Sequence, residues 1–114
     1  MKREIKIFKA LSDANRVRIL KMLERKQMCV CEITKILGLS TSNVSIHLSI
    51  LREAGFISDQ KNGKWVDYSI NKYSDDMILN QLLALLPAWL NDDEKIIKDI
   101  KEAENVDRNI ICNT

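Results

Sequence analysis

Glycine, proline, histidine and cysteine are all scarce in this chain of 114 residues, which contains three glycines, one proline, one histidine and three cysteines. The low glycine and proline content excludes collagen-like and low-complexity chains and favours a helix-rich globular domain. Three is an odd number of cysteines, and in a reducing compartment a disulfide framework is not expected. Metal binding, redox chemistry and an inert buried role all remain open for the thiols.

Long apolar runs are also missing. The longest run covers residues 78–90, contains Asn80, Gln81 and Pro87, and is too short to span a bilayer. Residues 1–11 lack the apolar region of a secretory signal. We therefore expect a cytoplasmic protein with no membrane partner.

Catalytic patterns are absent as well. The sequence shows no paired carboxylates, no nucleophile with a base and no phosphate-binding loop, so we predict that the protein is not an enzyme. Its closely spaced cysteines form a C-x-C pattern without a surrounding βαβ pattern, which argues against a C-x-x-C thiol oxidoreductase.

Charge is divided unevenly along the chain. Residues 1–72 contain 14 Lys and Arg against 7 Asp and Glu, a net +7, whereas residues 73–114 contain 4 against 9, a net −5; together they give the total of +2. A basic front part predicts contact with a polyanion such as nucleic acid. The alternative is a chance division over a solvated surface.

Apolar periodicity predicts a series of short helices in the first half of the chain. The third helix begins at the C-x-C pattern and ends at Gly38, because glycine tolerates the left-handed conformation of a tight turn. The fourth, capped by Thr41 or Ser42, ends at Gly55 and buries Val44, Leu48 and Leu51. A short helix, a glycine-containing turn and a second helix predict a helix-turn-helix.

A β-hairpin is predicted directly after these helices, in residues 56–70. Two extended runs flank Asn62-Gly63, a strong hairpin signal because both residues accept positive φ. Lys61 and Lys64 bracket the tip. A basic hairpin after a helix-turn-helix is typical of a wing.

The outward side of the fourth helix is polar and suits a major groove. Asparagine pairs with adenine, serine donates to bases or phosphates, arginine contacts guanine or phosphate, and an isoleucine can touch a thymine methyl group. The alternative is an ordinary solvated face, and the single histidine is more typical of a structural or DNA-contacting residue than of a metal ligand. The candidate DNA-contacting residues are Ser42, Asn43, Ser45, Ile46, His47, Ser49, Arg52, Lys61 and Lys64.

The helix that follows Ser74 is apolar around much of its circumference in residues 78–90, with an interruption near Pro87. Dimerisation with the first helix, whose stripe is Ile5, Phe8 and Leu11, would bury it; the alternative is that it completes a monomeric core. We predict a mainly α fold with a β-hairpin, a winged helix-turn-helix forming a homodimer through its terminal helices on palindromic double-stranded operator DNA. The predicted single domain, 1–114, comprises helices in 12–55, the wing in 56–70, a dimerisation helix in 74–105 and a tail in 106–114.

Four segments carry a family resemblance: LSDANRVRILKML, CVCEI, LSTSNVSIHLSILREAGFI and KNGKWVDYSI. In this order they resemble the ArsR/SmtB family of metal-responsive transcriptional repressors, from about Phe8 to Ile70. The CVC segment resembles the arsenic-sensing branch in particular. The resemblance implies a homodimeric repressor that leaves its operator when arsenite or antimonite binds its cysteines.

The sequence departs from the family pattern in several places. A third cysteine often follows CVC after three residues, where this chain has Thr34. The N-terminal cysteines of the cadmium- and lead-sensing relatives are absent, and no histidine follows His47 to build the zinc site on the last helix. Ala14 replaces a customary proline, which we expect to matter little.

The resemblance directs attention to the three thiols, because As(III) and Sb(III) prefer three thiolates. Cys29 and Cys31 offer two and Cys112 is the remaining thiol, so we predict a site of Cys29, Cys31 and Cys112. On a regular helix the first two point to nearly opposite sides, so binding should unwind the first turn of the third helix and weaken operator binding. The alternatives are a response to cadmium or lead, a response to thiol oxidation, no metal response, and for Cys112 a free tail thiol.

Overall fold

Seven α-helices and a small three-stranded sheet occur in residues 1–112, which are the residues that the computed structural model describes. The sheet is antiparallel with the order β1-β3-β2. A 3-10 turn, Leu86–Ala88, follows α5. The elements are α1 Lys2–Ala10, α2 Ala14–Leu23, β1 Met28–Cys29, α3 Val30–Leu37, α4 Thr41–Ala54, β2 Ile57–Asn62, β3 Trp65–Ile70, α5 Met77–Leu85, α6 Glu94–Asn105 and α7 Arg108–Ile111.

Helices α3 and α4 form the predicted helix-turn-helix. Gly38 ends α3 with a φ of 70°, and Gly55 ends α4 with a φ of 97°, both in the left-handed region. The cap of α4 is Ser40, one residue before the predicted positions, and its Oγ accepts from the backbone N–H of Asn43 at 3.2 Å. Gly38, Ser40 and Gly55 therefore set where α3 ends and where α4 begins and ends.

The core lies beneath α4, where the predicted face of Val44, Leu48 and Leu51 is buried. This burial leaves the opposite side of α4 facing outward, since positions three and four apart share one helix face. The core cluster also includes Ile7, Ala10, Ile19, Leu20, Met22, Leu23, Met28, Ile33, Phe56, Ile57 and Leu79.

The wing is the β2–β3 hairpin, but the sequence analysis missed its third strand. In β1, Met28 pairs with Tyr68 and Cys29 with Asp67. The two loop residues are Gly63 and Lys64, one position beyond the predicted pair, and Gly63 has a φ of 64°. A glycine first in a two-residue loop matches the twist of the flanking strands.

The predicted dimerisation helix of residues 74–105 is two helices, α5 and α6, with the interruption at Pro87. The buried Lys21 of α2 binds the segment between α5 and α6. Its Nζ donates to the Leu86 carbonyl at 2.9 Å and to Asn91 Oδ1 at 3.1 Å. Arg18 of α2 pairs with Asp99 of α6 through two hydrogen bonds of 2.7 and 3.0 Å. These contacts seat α6 against α2 within the same chain.

Apolar side chains remain exposed on α1 and α5. Ile5 and Phe8, two members of the predicted stripe, are 45% and 50% exposed, because α1 instead turns Ile7 and Ala10 into the core. Met77 of α5 is 75% exposed. Across residues 1–112, none of the helices combines the length and apolar character needed to cross a membrane.

Candidate DNA interface and thiol site

The predicted recognition face of α4 lies on the surface of the protein. The predicted contacts at positions 42, 43, 45, 46, 49 and 52 are exposed, and Ile46 is 57% exposed. Side chains spaced by three, four and seven residues form one continuous helix face, as insertion into a major groove requires. Whether each residue contacts a base stays a prediction.

His47 is half-buried and is held by an arginine that the sequence analysis did not single out. Arg16 Nη1 lies 3.2 Å from His47 Nδ1, and the same guanidinium donates to the carbonyls of Ala10 at 2.9 Å and Lys9 at 3.1 Å. A guanidinium is always a donor, so Nδ1 must accept and the proton of the neutral ring belongs on Nε2. His47 thus joins α4 to the α1–α2 corner and keeps Nε2–H available as a donor.

The wing is joined to α4 at its base and carries its cations at its tip. Arg52 Nη1 donates to Asp59 Oδ2 of β2 at 2.9 Å, so this predicted DNA contact already forms an ion pair. Lys61 and Lys64 are exposed, and Lys64 Nζ lies 4.7 Å from the centre of the Trp65 ring. Such a cation–π contact limits where Lys64 points.

Cys31 and Cys112 form a disulfide, although the sequence analysis expected none. Cys31 lies in the first turn of α3, Cys112 follows α7, and their Cα atoms are 5.9 Å apart across a sequence separation of 81 residues. The bond forms because α7 returns the end of the chain to α3. The structure therefore brings together two of the three predicted sulfur ligands.

Cys29 is a free thiol and does not lie on α3, which corrects the premise that both residues of the C-x-C pattern lie on a helix. It is the last residue of β1 and precedes the helix with extended backbone, φ −91° and ψ 168°, and its side chain is buried. Its N–H donates to Glu32 Oε1 at 3.0 Å. Burial raises the pKa of the thiol, the Glu32 carboxylate adds to this, and the nearby Arg108 guanidinium opposes it.

The three cysteine sulfurs are not arranged around one common position for an ion. Within residues 1–112 no group of three His, Cys, Asp or Glu side chains is arranged to hold a metal ion. The donor set nevertheless fits a soft ion in part, since two cysteine sulfurs meet and a third lies in the adjoining strand. A three-sulfur site would require Cys29 to move towards the other two.

One cleft of about 370 Å³ connects the thiols to both DNA-binding elements. Cys29, Cys31 and Thr34 line one part of it, Thr41 at the start of α4 another, and Lys64 with Trp65 and Val66 of the wing the rest. The sequence analysis singled out Cys29, Cys31, Thr34, Thr41 and Lys64 for separate reasons, but only the fold shows that they share a cavity. A group attached to Cys31 would therefore lie between the recognition helix and the wing.

Arg108 and Asp67 were also missed by the sequence analysis. Arg108 of α7 pairs with the buried Asp67 of β3, and Asp67 also accepts from Asn62 Nδ2 at 3.2 Å. A charged residue within the strand was the one available signal for Asp67. Nothing in the sequence pattern pointed to Arg108.

A helix-turn-helix with a polar outward helix and a basic-tipped hairpin defines a winged helix-turn-helix transcriptional regulator. Comparison with known proteins agrees: residues 13–59 match the profile of the bacterial regulatory protein, arsR family. The chain is 34% identical over 100 residues to the arsenic resistance transcriptional regulator ArsR1 of Pseudomonas putida, covering 84% of this chain and 78% of that protein. The chain belongs to the arsR family of bacterial regulatory proteins. It is accordingly a DNA-binding transcriptional repressor in class and not an enzyme, as predicted.

Two further comparisons bear on this assignment. The arsenical resistance operon repressor of Escherichia coli is 36% identical over 86 residues, which is 75% of this chain and 63% of that protein. The homodimeric winged helix-turn-helix domain of Mb0332 from Mycobacterium bovis is similar with a TM-score of 0.64 at 23% identity, covering 76% of this chain and 77% of that one. The latter supports the fold alone.

Proposed function

We propose that this protein represses transcription from operator DNA and leaves that DNA when arsenite or antimonite binds its cysteine thiolates. The observation that carries the proposal is the meeting of Cys31 and Cys112, two soft donors that are 81 residues apart in the sequence. Cys29 is the proposed third ligand. The names of the two relatives, which refer to arsenic and arsenical resistance, support this choice of inducer.

The sulfurs must be reduced before they can bind such an ion. A cellular thiol pair supplies two electrons and two protons, is itself oxidised to a disulfide, and leaves Cys31 and Cys112 as free thiols. Arsenite, when bound, supplies As–S bonds that form as thiol protons leave with its hydroxyl groups as water. Burial raises the pKa of the third thiol, Cys29, and its proton must also leave when it binds the ion.

Cys31 is linked to the proposed DNA-binding surface by one helix and one cleft. Cys31 lies on α3, which is joined to α4 through Gly38, and the cleft beside it is bounded by Thr41 and Lys64. Movement of Cys29 towards Cys31 would disturb the start of α3, since Cys29 and Glu32 cap that helix. We therefore propose that the ligand favours a conformation in which α4 and the wing no longer fit the operator together.

We also propose that the protein acts as a symmetric homodimer on a palindromic operator. The exposed apolar residues of α1 and α5, including Phe8 and Met77, are the surfaces that a second copy would cover. The Mycobacterium bovis domain of the same fold is itself described as homodimeric. Two recognition helices would then reach successive major grooves.

A second candidate is a repressor that responds to thiol oxidation. The specific observation in its favour is the Cys31–Cys112 disulfide itself, which is the product of a two-electron oxidation. In that case the two functional states would be the disulfide and the pair of free thiols, rather than the free thiols and the ion-bound thiolates.

Operator binding separates the two candidates. The probe is a fluorescent duplex selected by the reduced protein from a random-sequence pool, measured by anisotropy at fixed salt. With a phosphine reductant present, we expect arsenite to weaken binding 5- to 150-fold, a coupling of about 1–3 kcal/mol. Unchanged affinity with arsenite, combined with loss of binding after diamide oxidation, would reject the first candidate in favour of the second.

A further inference from the structure

Arg108 of α7 connects the sulfur pair to the wing. Its guanidinium carbon lies 4.3 Å from the centre of the Trp65 ring, and its Nη1 pairs with the Asp67 carboxylate. Both partners belong to β3, the central strand of the sheet. One turn later the backbone N–H of Cys112 donates to the Arg108 carbonyl at 3.0 Å, so the arginine and the second sulfur share one helical turn.

The position of Arg108 is fixed by a buried charge. Asp67 is only 4% exposed, and its other hydrogen-bonding side chain, Asn62 Nδ2, is neutral. Burying a carboxylate without a cation is costly, so Asp67 holds the guanidinium in place. Asp67 also pairs with Cys29 across the β1–β3 ladder, which puts the arginine beside the thiol site.

The Trp65 ring links Arg108 to Lys64, which lies at the tip of the wing. The cations of Arg108 and Lys64 both lie within 5 Å of the ring centre, at 4.3 and 4.7 Å. Attraction of cations to an aromatic ring falls off quickly beyond about 6 Å, so both contacts contribute. The direction of Lys64 at the DNA-facing tip therefore depends on where Arg108 holds Trp65.

We propose that Arg108 is a positioning residue that transmits the state of the Cys31–Cys112 pair to the wing through Trp65 and Asp67. While the sulfurs are joined, α7 is held against α3 and Arg108 stays on the ring. When the sulfurs separate, the end of α7 is released; when they bind an ion together with Cys29, it is held in a new place. Each change moves Arg108 on Trp65, and the ion-bound position turns Lys64 away from the direction that fits the operator. The identity of the ion rests on the proposed function, whereas the route from α7 to the wing does not.

The test uses Trp65 as its own reporter. The chain has two tryptophans, so Trp89→Phe leaves Trp65 as the only emitter. In this background, Trp65 emission and affinity for the selected duplex are measured for the oxidised protein, after phosphine reduction, and after reduction with arsenite added. The variants are Arg108→Ala, Arg108→Lys as the conservative replacement, and Arg25→Ala as a control at an exposed arginine in the connection between α2 and β1.

We expect reduction or arsenite to shift Trp65 emission, and arsenite to lower operator affinity at least fivefold, in the parent and in Arg25→Ala. In Arg108→Ala the emission should no longer respond and arsenite should weaken operator binding by a smaller factor than in the parent, since the route through α3 remains, while Arg108→Lys restores part of both. If Arg108→Ala fails to fold because Asp67 is left unpaired, the double variant Asp67→Asn/Arg108→Ala removes that charge and serves in its place.

Two results would overturn the relay: a folded Arg108→Ala or double variant with the parent's full emission and affinity responses, or a parent whose Trp65 emission is the same in all three states. An emission change on reduction that depends on Arg108, without any effect of arsenite on operator affinity, would reject the inducer but support the relay. The two proposals therefore fail separately.

Discussion

Cys31 and Cys112 lie side by side although 81 residues separate them in the sequence, with Cα atoms 5.9 Å apart. The disulfide attaches Cys112, which follows α7, to α3, the first helix of the helix-turn-helix. A soft ion or an oxidant acting on these sulfurs acts on the element that positions the recognition helix.

The buried thiol of Cys29 should ionise at a higher pH than an ordinary cysteine. Burial raises its pKa, and a thiol reacts with iodoacetamide only as the thiolate, so labelling should increase over a higher pH range than for an ordinary cysteine. The measurement is the labelling rate against pH in Cys31→Ser/Cys112→Ser, by mass spectrometry, with the urea-unfolded protein as reference. A midpoint at or below that of the unfolded chain would contradict the burial of this thiol.

Asn43 should contribute to sequence reading by α4. Because a paired base contact is worth about 1–3 kcal/mol, Asn43→Ala should weaken binding to the selected duplex by about 5- to 150-fold with unchanged thermal stability. Asn105→Ala, at the far end of α6, is the matched control and should bind as the wild type does. Equal affinities for all three proteins would show that Asn43 does not touch a base.

The lysines at the tip of the wing should contact phosphates rather than bases. Replacing Lys61 or Lys64 by alanine should reduce the slope of log affinity against log salt concentration by about 1 for each lost contact, on any DNA sequence. Anisotropy titrations at four salt concentrations give the slope. Lys98→Ala on α6 should leave it unchanged, and a similar loss in that control would mean that general charge, not the wing, is responsible.

The exposed apolar side chain of Met77 should lie in the dimer interface. Met77→Asp would bury a charge there, so sedimentation equilibrium should show a mass near 13.2 kDa instead of twice that value. Losing the second half-site should lower operator affinity by about 100-fold or more. Ile97→Asp, on the exposed side of α6, should stay dimeric; if it dissociates and Met77→Asp does not, the interface lies on α6.

Local patterns in the sequence predicted the helix-turn-helix and the wing well. Gly38 and Gly55 end helices as expected, and the face of Val44, Leu48 and Leu51 is buried, because turn chemistry and periodicity are properties of neighbouring residues. The interruption near Pro87 was likewise foreseen. These features required no knowledge of distant contacts.

Features that depend on distant contacts were missed. A two-residue strand such as β1 has too few positions to show alternation, so Cys29 was assigned to the helix. The stripe of Ile5 and Phe8 gave the correct helical period for α1, but the opposite side with Ile7 and Ala10, which faces the core, was not predicted. Arg108 contacts Trp65 because α7 packs against the rest of the fold, and no local sequence pattern predicts that packing.

The most direct test of the account is arsenite-driven release of the selected duplex by wild-type protein, Cys31→Ser and Cys112→Ser under a phosphine reductant. Thr34→Ala, which changes a non-thiol side chain in the same cleft, is the control. We predict that arsenite weakens binding 5- to 150-fold in the wild type and the control, and less than twofold in either cysteine variant. A Cys112→Ser protein that releases DNA as readily as the wild type would show that the end of the chain plays no part in sensing.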